Sequence, residues 1–117
     1  MAIVEIVTWR EIGWRTMDFV GYGVEATDGS LGKVDEKTKD VQGFGFIVVD
    51  TGPLIFGKTV MLPAGVIQTV DHDEQKIYLD RTKDEIKSAP EFDEDNFRGD
   101  AYQSQLATYY GRGGHTP

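Results

Sequence analysis

The chain alternates short apolar runs with polar turns, a pattern typical of a protein built from many short strands. Phe19–Ala26 and Leu31–Glu36 both alternate and flank Asp28-Gly29-Ser30, and an Asp-Gly turn in that setting predicts a hairpin. Within Gly43–Asp50 the residues from Phe46 onward are apolar on both alternating faces, which predicts a central strand that is covered on each side. The remaining predicted segments are an opening strand at Met1–Thr8, a loop or extended arm at Trp9–Arg15, a polar connection at Lys37–Gly43, and strands at Thr59–Leu62, Gly65–Val70 and Lys76–Asp80.

Two helices are predicted towards the end of the chain. Thr82 and Glu85 stand at capping-box spacing, which predicts a short helix near 82–89 that ends before Pro90. A second helix is predicted near 100–110, with Gly111 as its stop. Short strands at regular spacing, with no helices between them, predict an all-β fold, either a barrel or a sandwich.

Composition narrows the classes of function. Twenty acidic residues against twelve basic ones give a net charge of −8, which disfavours binding to nucleic acid and to anionic membranes but leaves a basic protein partner open. The absence of cysteine excludes disulfides, thiolate metal sites and cysteine nucleophiles. No apolar run approaches the roughly 18 residues of a membrane span, so we expect no membrane span and a cytoplasmic location.

One stretch satisfies the phosphate-loop pattern, and its context argues against that function. Gly52–Thr59 reads G-x-x-x-x-G-K-T, a pattern in which Lys58 would contact phosphates and Thr59 a magnesium ion. Such a loop must lead into a helix, whereas the residues that follow are strand-like and end at Pro63. We therefore interpret the match as part of the strand architecture.

Other residues that carry chemistry form no recognisable site. Asp71–Glu74 could offer ligands to a metal, but four consecutive turn residues rarely point at one centre, so we interpret them as a solvated turn. His115 stands in a glycine-rich tail, and the serines have no histidine and acid arranged near them. We therefore predict that the protein is not an enzyme and has no catalytic, cofactor-binding or metal-binding residues.

Several segments together resemble the PRC-barrel family over about Phe19 to Phe92. The hairpin Gly21–Asp35 is similar to the opening motif of that family, and Phe46–Val49 to its central strand. The resemblance implies that the all-β fold is a small bulged β-barrel of about six strands, and it brings no catalytic residue with it. The other similar segments are Val60–Pro63, Ile77–Asp80 and Thr82–Phe92.

These observations divide the chain into an N-terminal strand and aromatic arm (1–18), a barrel (19–92), and an acidic linker with a helix and flexible tail (93–117). We predict a protein-interaction module that self-associates, as a dimer, and that binds a protein partner still to be identified. A ligand- or ion-responsive regulator is the first alternative, and an accessory of ribosome assembly, by analogy of fold, is the second. The candidate interaction residues are the aromatics at the two ends: Trp9, Trp14, Tyr102, Tyr109 and Tyr110.

Overall fold

A computed structural model of the protein describes residues 6–52 and 57–112, which form six strands and three α-helices. Of the predicted opening strand only Ile6–Thr8 falls in these ranges, and those three residues are not in a strand. The glycine-rich tail with His115 lies outside the described residues. The strands are β1 (Gly23–Ala26), β2 (Gly29–Val34), β3 (Phe46–Thr51), β4 (Thr59–Pro63), β5 (Ile67–Asp71) and β6 (Lys76–Leu79), and the helices are α1 (Thr38–Val41), α2 (Lys83–Lys87) and α3 (Asp100–Arg112).

The six strands form one sheet in the order β4-β3-β2-β1-β6-β5. Neighbouring strands are antiparallel except β1 and β6, which are parallel. The chain therefore adds β2, β3 and β4 in turn on one side of β1. It then crosses to the opposite edge of the sheet, where it forms β5, and returns with β6, which pairs with the other side of β1. This order predicts a strongly curled sheet, because β4 and β5 lie at opposite edges and only Ala64–Val66 separates them.

The length of that connection sets the curvature. Four Cα steps join Pro63 to Ile67 and span at most about 14 Å, whereas the edges of a flat six-stranded sheet lie about 24 Å apart. The sheet curls accordingly into a half-barrel. Register shifts between Val24 and Glu25, and between Ile67 and Thr69, are the bulges that permit this bending.

The predicted strands other than the opening one are confirmed, although β1 begins four residues later than predicted and β5 two residues later. The hairpin turn is Thr27-Asp28, and Gly29, with φ of +136°, opens β2 instead of standing inside the turn. Five of the six residues in β3 are buried, as its apolar sequence predicted. Ile77 and Leu79 point inward from β6, also as predicted.

The predicted small β-barrel of about six strands is confirmed in part, because six strands form one barrel-like sheet. β4 and β5 are not hydrogen-bonded to each other within the described residues, so the barrel stays open, and about 32% of the structure is helical. Two groups of contacts occupy the open side. Helix α3 packs against β4, and the guanidinium of Arg10 donates hydrogen bonds to the carbonyls of Ile67 (2.8 Å) and Gly65 (3.4 Å).

Two local predictions are also corrected. The polar connection Lys37–Gly43 contains helix α1, which forms because the hydroxyl of buried Thr38 exchanges two hydrogen bonds with the backbone of Val48 on β3. Helix α3 continues through Gly111 to Arg112, since a glycine costs only about 1 kcal/mol in a helix and buried side chains hold the preceding turn. The capping box at Thr82 and Glu85 is confirmed, with both of its hydrogen bonds present.

Candidate interaction surface

A segment before the sheet, which we call the N-terminal arm (residues 6–17), lies over the start of β3 and the start of β5. The arm turns through a 3-10 helix at Ile12–Thr16, where the sequence predicted a loop or an extended arm. Its backbone approaches the sheet so closely that a Cβ at Gly45 would overlap the carbonyl of Val7. A Cβ at Gly65 would stand 2.5 Å from the carbonyl oxygen of Ile6. Because both positions are glycine, the backbone of the arm can pack directly against the backbone of the chain at Gly45 and Gly65.

One side chain, Gln42, fixes the shape of the arm. Its side-chain amide donates hydrogen bonds to the backbone carbonyls of Trp14 (2.9 Å) and Met17 (2.7 Å), while the backbone carbonyl of Gln42 accepts the indole N–H of Trp9 (3.1 Å). These hydrogen bonds hold the arm before, within and after its 3-10 helix. The surface that the arm forms therefore has a defined shape.

The arm and the turn that follows Gln42 line an open pocket of about 320 Å³. Ile12 and Phe44 stand at this pocket with 89% and 64% of their surface exposed. Large apolar side chains at a pocket mark a binding surface more often than isolated ones do. We call this region the Ile12–Phe44 pocket; it is lined by Val7, Trp9, Ile12, Arg15, Gly43 and Phe44, among others.

Arg15 contributes a positive charge to the pocket. Its guanidinium donates a hydrogen bond of 3.1 Å to the carbonyl of Gly43, which places a cation at the rim. The pocket itself is apolar, because the indole of Trp9 forms part of its wall. It therefore offers an apolar cavity with one positive charge beside it, in a protein whose net charge is −8.

The five aromatic residues that the sequence suggested as interaction residues belong mostly to the core. Trp9, Trp14, Tyr102 and Tyr110 are buried, and Tyr109 is half-buried. The ring of Trp9 stacks on Phe19 at 6.3 Å, so the arm packs over its own sheet through this indole. A direct role of these side chains at an interface stays a prediction, which this burial disfavours.

The tyrosines of α3 connect that helix to its surroundings. The hydroxyl of Tyr109 donates a hydrogen bond of 2.6 Å to the carbonyl of Glu85 in α2, and that of Tyr102 donates one of 3.4 Å to Pro90. Burial raises the pKa of Tyr102, Tyr109 and Tyr110, and nearby Asp93 and Glu85 raise the pKa of Tyr102 and Tyr109 further. These phenols are neutral structural groups at physiological pH.

Ile12 and Phe44 are not among the interaction residues that the sequence predicted. Phe44 was counted with the strand that follows it, although it stands between Gly43 and Gly45. The sequence contains a signal that Phe44 is exposed, because its two neighbours are glycines, which have no side chains that could cover its ring. Ile12 had no comparable signal.

The stretch with the phosphate-loop pattern is a connection between two strands. The hydroxyl of Thr51 accepts the N–H of Lys58 at 3.1 Å and donates to the carbonyl of the same residue at 2.5 Å. The N–H of Lys58 is therefore occupied, and Thr59 begins strand β4 instead of a helix. Residues 53–56 of the pattern lie outside the described residues.

The turn Asp71–Glu74 is largely solvated, as predicted. The carboxylate of Asp71 accepts the N–H of Glu74 at 3.0 Å, and His72, Asp73 and Glu74 are exposed. Among residues 6–52 and 57–112, no three histidine or acidic side chains lie close enough together to hold a metal ion. In the same part of the chain, no helix has the length and apolar character needed to cross a membrane.

Comparison with protein-family models gives no match for this chain, and comparison with curated proteins gives none either. The resemblance to PRC-barrel domains thus rests on the segments between Phe19 and Phe92, and membership of that family stays a prediction.

Proposed function

We propose that this chain is a protein-interaction module, not an enzyme, and that it self-associates. One observation carries the proposal: Ile12 and Phe44 stay exposed beside an apolar pocket on a surface that the chain holds rigidly. A protein gains nothing in its own stability from two such side chains in water, whereas covering them in a complex is favourable.

The fixed shape of the arm strengthens the proposal. A surface that is already ordered loses little conformational entropy when a partner covers it, so a small apolar patch can support binding. The three hydrogen bonds made by Gln42 supply that order. The pocket lies on the N-terminal arm that the sequence suggested, although Trp9 is the one member of the five suggested aromatic residues that lines it.

The mass of the full chain in solution tests the proposal. Sedimentation velocity from low micromolar to near-millimolar concentration should show a reversible shift from monomer to dimer. A parallel thermal-shift screen with nucleotides and divalent cations should leave the melting temperature unchanged. The screen would detect binding, because a ligand at 100 times its dissociation constant adds about 2.7 kcal/mol to the free energy of unfolding. A chain that stays monomeric throughout, or that one of these ligands stabilises, would refute the proposal.

A further inference from the structure

The two edge strands of the sheet differ in how far the rest of the described chain covers them. Four of the five residues in β4 are buried, and α3 packs against this strand. In β5, by contrast, Gln68 and Thr69 are exposed, and Val70 and Asp71 are half-buried. An exposed edge strand is a template to which another strand can pair. β5 is therefore the edge that a second chain can approach.

The hydrogen bonds at the start of β5 show which way the backbone of Ile67 faces. Ile67 stands opposite Leu79 in β6. The carbonyl of the preceding residue, Val66, accepts the N–H of Asp80 at 2.9 Å. In an antiparallel ladder this arrangement makes Ile67 and Leu79 a non-hydrogen-bonded pair, whose own N–H and C=O groups point away from the partner strand. The backbone groups of Ile67 therefore face the open edge of the sheet.

Both of these outward-facing groups are already occupied from within the chain. The N–H of Ile67 donates to the carbonyl of Ala64, and its C=O accepts a hydrogen bond of 2.8 Å from Nε of Arg10. Nη2 of the same guanidinium donates to the carbonyl of Gly65 at 3.4 Å and to the carboxylate of Asp80 at 3.3 Å. The rigid, planar set of donors in arginine suits several acceptors that lie side by side. Arg10 thus takes the carbonyl through which an added strand would begin to pair with β5.

We infer that Arg10 protects the edge of β5 from pairing with β5 of a second copy of this chain. Every copy presents the same strand, and two copies of it can pair antiparallel about a two-fold axis. Natural sheets prevent such pairing with charged side chains and with bulges at the edge, and β5 has both, since its register shifts between Ile67 and Thr69. This role goes beyond the proposed function, because it concerns a mode of association that the chain excludes.

Arg10→Ala in the full chain removes this protection and frees the carbonyl of Ile67. In sedimentation equilibrium up to near-millimolar concentration, its weight-average mass should rise towards about twice that of the wild type, as two-fold pairing requires. Hydrogen exchange across residues 67–71 should slow as the mass rises. Arg98→Ala is the matched control, because Arg98 is also an exposed, ion-paired arginine, and its guanidinium donates to the carboxylate of Asp40 in α1. This control should match the wild type in both measurements.

Two further variants make the test decisive. Arg10→Gln keeps a polar side chain without the charge and reach of the guanidinium, and it replaces Arg10→Ala if circular dichroism shows the latter to be unfolded. The double variant Arg10→Ala/Thr69→Lys places a new charge on the open edge and should return the mass to that of the wild type.

Three results would overturn the inference: a folded Arg10 variant with the mass of the wild type, association with unchanged exchange in β5, or association that persists in the double variant. Because every variant is compared with the wild type, a monomeric wild type would refute the proposed self-association and leave the role of Arg10 to be judged by the same three results.

Discussion

Replacing Asp80 by asparagine should destabilise the fold strongly, because Asp80 is the carboxylate beside a buried arginine. One of its oxygens contacts the guanidinium of Arg81, whose side chain is only 2% exposed, and the other lies 3.3 Å from that of Arg10. Arg81 also donates a hydrogen bond of 3.0 Å to the carbonyl of Tyr110, near the end of α3. A single carboxylate therefore links the N-terminal arm to the C-terminal helix.

The size of the effect follows from the burial of the pair. At about 4 Å between charge centres and an effective dielectric constant near 20, the attraction is about 4 kcal/mol. Asp80 retains 23% of its side-chain exposure, which lowers that value somewhat through solvent screening. Removal of one partner from a buried pair costs about 3 to 5 kcal/mol, so we expect Asp80→Asn to lower the free energy of unfolding by about 3 kcal/mol.

Urea denaturation followed by circular dichroism measures this change, and an unaltered m-value would show that it belongs to the native state. Asp40→Asn is the matched control: it makes the same change at the exposed pair of Asp40 and Arg98, and a surface pair contributes only about 0 to 1 kcal/mol. If Asp80→Asn cost no more than Asp40→Asn, the reasoning from burial would be refuted.

Three further predictions concern the helices and their tyrosines. Tyr110→Phe should raise stability by about 1 kcal/mol in thermal or urea unfolding, because its buried hydroxyl has no hydrogen-bond partner among the described residues; a loss of stability would contradict this. Thr82→Ala should lower stability by about 1 kcal/mol through loss of the capping box, whereas an effect below about 0.3 kcal/mol in the same assay would show that α2 does not depend on its cap. The free energy of unfolding should fall above about pH 10, by about 1.4 kcal/mol per pH unit for each buried tyrosine. The reason is that the raised pKa keeps Tyr102 and Tyr110 protonated in the native state, whereas the same tyrosines in the unfolded chain lose their protons. Of the five tyrosines, at least two should therefore gain tyrosinate absorbance only together with unfolding, and ionisation of all five in the folded protein would refute the argument.

The strands were predictable because their signals are local. Alternation in β6, continuous apolar sequence in β3 and the capping box at Thr82 each depend on a few neighbouring residues. The same reasoning counted Gly111 as a stop, because the sequence does not display the buried contacts that carry α3 past it. Local pattern thus predicts elements well and their ends less well.

The candidate site could not be predicted in the same way. The pocket exists because the side chain of Gln42 donates hydrogen bonds to two backbone carbonyls of a segment about 25 positions earlier in the chain. No periodicity of the sequence predicts such a contact. Trp9 and Trp14 left two hypotheses open, namely packing of the arm over its own barrel and exposure at an interface. The fold buries both side chains, and this leaves the less conspicuous Ile12 and Phe44 on the surface.

The parallel pairing of β1 with β6 has a consequence for how the chain reaches its native state. β1–β4 can form as a meander and β5–β6 as a hairpin, each from contacts close in sequence. The two units meet only where Gly23–Glu25 pair with Lys76–Tyr78, about 50 positions further along. Closure of that long segment has a large entropic cost before any contact compensates it, so this seam is where the folding barrier is expected.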